Sequence, residues 1–207
     1  MGLHSARTYI RPWRRQDDEI IDGWPAYDDP LDILWNLPRQ LTAGSAPWYD
    51  GFDSAGMRRV WAVEDHSGQL IGRISLREID ERRSTARLGI TFGAPYVGRG
   101  LGTEALAAFL DYYFVDLGFQ IMVLDVAGPN QRAVRCYQRL GFRSIGADWR
   151  DAGYYFDNRV LDDPRHDQVR QFFRDGQRGL WVQFFEMRLD REDWFALRQN
   201  QLNFRLT

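Results

Sequence analysis

YVGRGLGTEALAAFL, residues 96–110, sets glycine at every second position, Gly98, Gly100 and Gly102, directly before a segment that is apolar almost all the way round a helix. Glycine lacks the Cβ that holds a ligand off the backbone, and it reaches positive φ without steric cost. The helix that follows carries Ala105, Leu106, Ala108, Phe109, Leu110, Tyr112 and Phe114, with Glu104 and Asp111 as its polar edge, so it belongs in a core. Its first amide groups have no intrahelical acceptor and sit at the positive end of the helix dipole. Such a turn suits an anion, for example a phosphate. The same residues describe equally well a tight turn entering a buried helix.

Two phosphate loops are excluded at once. The chain contains no lysine, so it has no G-x-x-x-x-G-K-[ST] loop, and its glycines are spaced G-x-G-x-G rather than in the dinucleotide pattern G-x-G-x-x-G. With 207 residues, 44% of them hydrophobic, the chain has the material for one sizeable core, read as a single domain over 1–207. A net charge of -2 supplies no general attraction to nucleic acid or to an anionic membrane, so neither is expected as a partner. Cys136 is the sole cysteine, which excludes an internal disulfide and a cysteine-rich zinc site; His4, His66 and His166 are scattered, and no metal is expected. The start MGLHSARTYIRPWRRQDD lacks an apolar signal core, and no run approaches the ~20 residues of a membrane span, which points to the cytoplasm.

Along the chain, RTYIRPW reads as a strand, and Gln16 to Gly56 as short helical stretches broken by Pro25, Pro30, Pro38 and Pro47. RRVWAVED and QLIGRISLREID flank HSG as a hairpin, and TARLGITFG follows as a third strand. After the glycine turn and its helix come the buried strand FQIMVLDVA, a helix NQRAVRCYQRLG capped by Asn130 and stopped by Gly141, the strand FRSIGADW, and a last strand LWVQFFEMRL. The order predicts an α/β fold with a mixed central sheet of about seven strands, flanking helices and a helical insertion between the last two strands.

From Ala86 to Phe142 the chain resembles the GCN5-related N-acetyltransferase (GNAT) family, and within it the branch that acetylates ribosomal-protein N-termini. LGITFGAPYVGRGLGTEAL is similar to the family's fourth strand and its acetyl-CoA pyrophosphate loop, Q/R-x-x-G-x-G/A, and NQRAVRCYQRLGF to its later signature of Asn, a Tyr at the seventh following residue, and Gly-Phe. One departure falls in the first motif: Val97 stands where the family has Gln or Arg, with Arg99 as the nearby cation. The closing FEMRLDREDW resembles the family's last strand and its exit.

The resemblance implies acetyl-CoA as cosubstrate, its pyrophosphate on Gly98, Arg99, Gly100, Leu101, Gly102 and Thr103, with Asn130 also at the cofactor. It implies that the pantetheine arm pairs with the backbone of a strand running to Gly93, at Ile90, Thr91 and Phe92. Glycine at 89 and 93 suits a strand that bends and lets another backbone approach. The resemblance also implies Tyr137 as the acid that protonates the departing thiolate, and Asp125, twelve residues earlier, as the base. Periodicity by itself places Tyr137 on the stripe Ala133, Tyr137, Leu140 as a core residue. An aspartate in an apolar strand is costly unless paired or solvated, so Asp125 also has a reading as a structural carboxylate. The family's other carboxylate site holds Arg87 here, which leaves Glu78 and Asp80 as reserves. Cys136 is not read as a nucleophile.

The acceptor side is the least matched. From Gln16 to Gly56 the chain sets Asp17, Asp18, Glu19, Asp22, Asp28, Asp29, Asp32, Asp50 and Asp53 against Arg39, interleaved with Trp24, Tyr27, Trp35, Trp48 and Tyr49. Carboxylates and aromatic faces there favour a cationic small molecule or a basic peptide N-terminus; a solvated acidic surface is the plain alternative. Residues 157–179 form an inserted segment, read as an amphipathic helix with Val169, Phe172 and Phe173 on one stripe. It packs on the body, covers the acceptor cleft or meets a second subunit in a homodimer. Residues 190–207 are a C-terminal tail. The function expected is direct acetyl transfer to a primary amine; the competing class is a non-catalytic CoA-binding regulatory module.

Overall fold

The structure, a computed structural model, describes residues 2–34, 58–153, 156–176 and 179–205. The elements in chain order are β1 (Leu3–His4), β2 (Thr8–Pro12), α1 (Gln16–Asp22), β3 (Arg59–Asp65), β4 (Leu70–Asp80), β5 (Thr85–Phe92), α2 (Leu101–Val115), β6 (Ile121–Ala127), α3 (Gln131–Arg139), β7 (Arg143–Asp151), β8 (Phe173–Gly176), β9 (Gly179–Asp190) and α4 (Arg191–Arg205). One sheet runs β1-β2-β3-β4-β5-β6-β9-β7, with β8 paired to β9. All neighbours are antiparallel except β5 and β6.

Alternation along the strands separates the two faces. Met122, Leu124 and Val126 of β6, with Ala86 and Leu88 of β5, enter a core shared with Leu106, Phe109 and Leu110 of α2 and Val134 and Tyr137 of α3. The polar edge of α2 is used rather than solvated. Glu104 accepts hydrogen bonds from Ser5 Oγ at 2.7 Å and Arg7 Nε at 2.8 Å, which lashes the β1–β2 turn to the helix. Burial works to raise the Glu104 carboxyl, but the hydrogen bonds from Ser5 and Arg7 outweigh it and hold the group below the usual carboxylate range. Asp111 accepts from Trp194 Nε1 at 2.9 Å and pairs with Arg198 at 2.6 Å. The expected C-terminal tail is therefore α4, docked by Trp194 at 1% exposure.

On the opposite face, α1 is held by an ion pair. Asp17, fully buried, takes both Arg11 Nη atoms at 2.7 and 2.8 Å and the Arg14 amide at 2.7 Å. Asp18 is buried as well and accepts from Trp13 Nε1. Two members of the acidic run read as a cation-attracting surface are thus structural, because α1 turns them inward. Trp35, Trp48, Tyr49, Asp50, Asp53, Arg39, Pro38 and Pro47 lie outside the described residues.

Two further expectations are revised. The described residues form nine strands instead of seven, since the two-residue β1 and four-residue β8 are too short to show alternation. Residues 157–176 are not an amphipathic α-helix but two 3-10 turns, Asn158–Asp162 and Pro164–Phe172, followed by β8. The cause is a repeated Asp-x-Arg. Asp157 and Asp163 each accept the amide two residues on, from Arg159 at 3.0 Å and Arg165 at 2.9 Å, and each pairs with that residue's guanidinium; such local bonds favour tight turns over a continuous helix. Phe173 consequently leaves the helical stripe and stacks on Phe156, while Phe172 meets Phe185 edge-on. β8 joins the edge of β9 that β6 leaves after Ala127, so the insertion ends beside the open end of β6.

Candidate active site

β5 and β6 are paired only at Thr85↔Ile121, Ala86↔Met122 and Arg87↔Val123. Past that point β5 stays on β4 as far as Phe92, and β6 stays on β9 as far as Ala127. The two strands therefore part, leaving a wedge between Leu88–Phe92 and Leu124–Ala127. The Gly93 amide donates to the Ile71 carbonyl at 3.0 Å on the β4 side. In an extended chain successive backbone groups face alternate edges, so Phe92 and Ile90 turn their amides and carbonyls into the wedge and Thr91 faces β4. The Tyr27 hydroxyl confirms this orientation by donating to the Phe92 carbonyl. Burial first, then Asp32, pushes that hydroxyl up to about 12, with Arg132 opposing.

Close to the wedge lies the glycine turn. Gly98 and Gly100 have φ of 75° and 80°, which explains glycine at both positions. Among the described residues none of the amides from Gly98 to Thr103 donates to a backbone or side-chain acceptor. Arg7 reaches over from the β1–β2 turn to the Arg99 carbonyl at 3.2 Å, so a second guanidinium flanks this turn beside Arg99 itself. Gly102 is the first-turn residue that packs on Phe92: an added Cβ would lie 3.4 Å from the ring, an ordinary contact. Asn130 uses its side-chain oxygen to cap α3 through the Ala133 amide at 3.1 Å.

α3 carries Tyr137 into the core against Phe142. Burial raises its pKa, and its hydroxyl makes no hydrogen bond to a described residue. Thr103 at the start of α2 contacts Cys136 Sγ at 3.0 Å, which joins the turn to α3. Burial also raises the Cys136 thiol, against the Thr103 hydrogen bond and Arg139, so it stays protonated near neutrality. Asp125 faces the α1 side and is closely paired: Arg87 Nη1 at 2.8 Å, Arg150 Nη2 at 3.2 Å and Arg77 Nη2 at 3.4 Å. The reserve carboxylates are engaged too, Glu78 by Arg87 at 2.7 Å and Asp80 by the Arg83 amide at 3.0 Å.

The sequence profile described as the acetyltransferase (GNAT) domain matches residues 7–143, which include the parted strands and the turn of open amides. The chain belongs to the GNAT acetyltransferase family. It is an N-acetyltransferase that takes its acetyl group from acetyl-CoA. The spermidine N(1)-acetyltransferase of Escherichia coli K12 is 27% identical over 145 residues, covering 70% of this chain and 76% of that one. A mycothiol acetyltransferase of Salinispora tropica is 33% identical over 143 residues, 64% of this chain and 44% of that one. The crystal structure of spermidine N-acetyltransferase from Vibrio cholerae in complex with CoA and spermine shares the fold, with a TM-score of 0.65 at 19% identity over 91% of this chain and 98% of that one.

Within this GNAT enzyme the glycine turn reaches β5 through Gly102 on Phe92 and α3 through Thr103 on Cys136, while three features have no local signal in the sequence. Arg7 is 92 residues from Arg99, whose carbonyl it reaches, and no local signal connects them. Tyr27 stood out only as one aromatic among several. In the sequence Arg87 reads only as a replaced carboxylate, whereas its contacts to Glu78, Asp125 and Glu186 depend on which strands the sheet makes neighbours. No helix among the described residues is long and apolar enough to cross a membrane.

Proposed function

We propose that acetyl-CoA lies in the wedge between β5 and β6, with its pyrophosphate on the amides of Gly98 to Thr103, and that Tyr137 supplies the proton to the departing sulfur. The observation that carries this is the loss of β5–β6 pairing after Arg87, beside a turn whose six consecutive amides have no partner among the described residues. The backbone groups of Ile90 and the amide of Phe92, whose carbonyl already accepts from Tyr27, face that wedge and suit pairing with an amide-bearing arm, and an N–H there is placed to polarise a thioester carbonyl. An alkyl amine, with a pKa of ~10, must lose a proton before it attacks. The oxygens of Asp125 are occupied by three guanidinium groups, and in this proposal the amine's proton leaves to water. The neutral amine nitrogen bonds to the acetyl carbon, the carbon–sulfur bond breaks, the thiolate takes the Tyr137 proton, and the second proton that the nitrogen gives up as the amide forms returns through water to the tyrosine oxygen.

The acceptor proposed is a cationic amine, in keeping with the polyamine named for several relatives. Asp28 and Asp29 remain exposed beside Tyr27, and the inserted segment meets Asp29 through His166, whose Nε2 lies 3.8 Å away, next to a groove of about 410 Å³ lined by Pro30, Val160, Arg165 and His166 among others. Ionic strength probes this, since attraction over more than the ~8–10 Å Debye length is screened. KM for a good amine is expected to rise with salt, and the double change Asp28→Asn with Asp29→Asn to raise KM and flatten that dependence. Best acceptors that are neutral apart from the reacting amine would remove the cationic assignment.

The decisive experiment is acetyl-CoA binding by calorimetry together with CoA release against a panel of amines, products read by mass. Binding without release on any amine would favour the CoA-binding module instead. Gly102→Val keeps the backbone in its allowed region while placing methyl groups at the amides; it is expected to weaken acetyl-CoA roughly tenfold or more, about 1.4 kcal/mol. Gly100→Val adds strain at positive φ and should do at least as much. Unchanged affinity in both would move the cofactor elsewhere.

A further inference from the structure

We propose that Arg87 and Asp125 are a positioning pair that sets the opening between β5 and β6, an inference that rests on the reading of this wedge as the acetyl-CoA site. Arg87 belongs to the last register pair before the strands part. Each of its three guanidinium nitrogens goes to a different strand: Nε to Glu78 of β4 at 2.7 Å, Nη1 to Asp125 of β6 at 2.8 Å and Nη2 to Glu186 of β9 at 2.9 Å. One side chain on β5 therefore joins three other strands at the vertex of the wedge.

Asp125 is the matching half on the other arm. It lies two residues past Val123, where β6 no longer has β5 as a backbone partner, and it is tied back to β5 by Arg87, to β4 by Arg77 and to β7 by Arg150. Side chains thus take over the strand-to-strand connection where the backbone ladder stops. The Arg87–Asp125 contact is the most sheltered of the set, with side-chain exposures of 16% and 12%, whereas Glu186 and Glu78 are at 41% and 59%. A sheltered charge-assisted bond holds geometry where an exposed pair is loosened by water and salt. Position 87 is also where the family resemblance expects a carboxylate. Arginine there gives Asp125 its shortest ion pair, 2.8 Å against 3.2 Å to Arg150 and 3.4 Å to Arg77.

Arg87→Lys tests this, because lysine keeps the charge but cannot reach three acceptors in one plane. With the folded state checked by thermal unfolding, KM for acetyl-CoA is expected to rise roughly tenfold and kcat/KM to fall roughly 10²-fold, the scale for misplacement of reacting groups. Asp125→Asn should move the same way and keep the acidic limb of its pH–rate profile. A role in general stability alone would lower the active fraction and kcat and leave KM for acetyl-CoA as in the wild type. Wild-type acetyl-CoA affinity in either variant overturns the pair. Loss of the acidic limb in Asp125→Asn overturns it too and makes Asp125 the base. A wild-type enzyme that releases CoA from acetyl-CoA yet binds it outside the wedge, as read by unaltered affinity in Gly100→Val and Gly102→Val, refutes the site itself.

Discussion

Tyr137→Phe is expected to lower kcat by roughly 10²-fold while acetyl-CoA binds as before. The change removes one oxygen and keeps the ring that packs on Phe142, so the core and the shape of α3 survive. What is lost is the proton that the leaving sulfur takes. The pH dependence has a definite sign: burial raises the tyrosine above its ordinary value of ~10, so the hydroxyl stays protonated and able to donate across the whole range from neutral to mildly alkaline. A decline of kcat below pH 10 therefore does not come from Tyr137. Single-turnover rates with a saturating amine, together with calorimetry on the same variant, check both halves. A variant with wild-type turnover, or one whose turnover falls only as far as its cofactor affinity does, would take the acid role away from this residue.

Arg11→Met should produce the largest loss of stability, about 3–5 kcal/mol, because it leaves the Asp17 carboxylate buried without the two bonds that compensate its charge. For a chain of this length that corresponds to a fall in Tm of roughly 6–20 °C. The double variant Arg11→Met with Asp17→Leu should recover much of it, since removing both partners leaves no orphaned charge. The amine KM measured well below the new Tm should not change, which separates this structural aspartate from Asp28 and Asp29 on the acceptor side. A single variant that unfolds at the wild-type temperature would mean that water reaches Asp17.

The contrast between Asp17 and Asp28 shows where sequence reading ends. Both belong to one acidic run, and composition treats them alike. Only the packing of α1 against β2 puts Arg11 within 2.7 Å of the first and leaves the second in solvent. Asp125 teaches the same lesson from the opposite side. Its place in an apolar strand marked it as a residue needing a partner, and the partners, Arg77, Arg87 and Arg150, come from three strands that lie far from it along the chain.

What the sequence by itself determined was local: the glycine turn, the buried helix after it, the Asn130 cap, the Tyr137 stripe and the alternation of the long strands. These follow from backbone sterics, hydrogen-bond satisfaction within a few residues and the two side-chain periods. The tertiary structure decided what depends on neighbours. It parts β5 from β6 after three pairs, turns the polar edge of α2 to the β1–β2 turn and to Trp194, brings Tyr27 to the Phe92 carbonyl, and gathers charges from five strands onto Asp125 and Arg87. The physical reason is one of range. Turns and caps are stabilised by groups a few bonds away, whereas a charge on a sheet face is stabilised by whichever strand lies alongside it, and that is settled only when the whole sheet has formed.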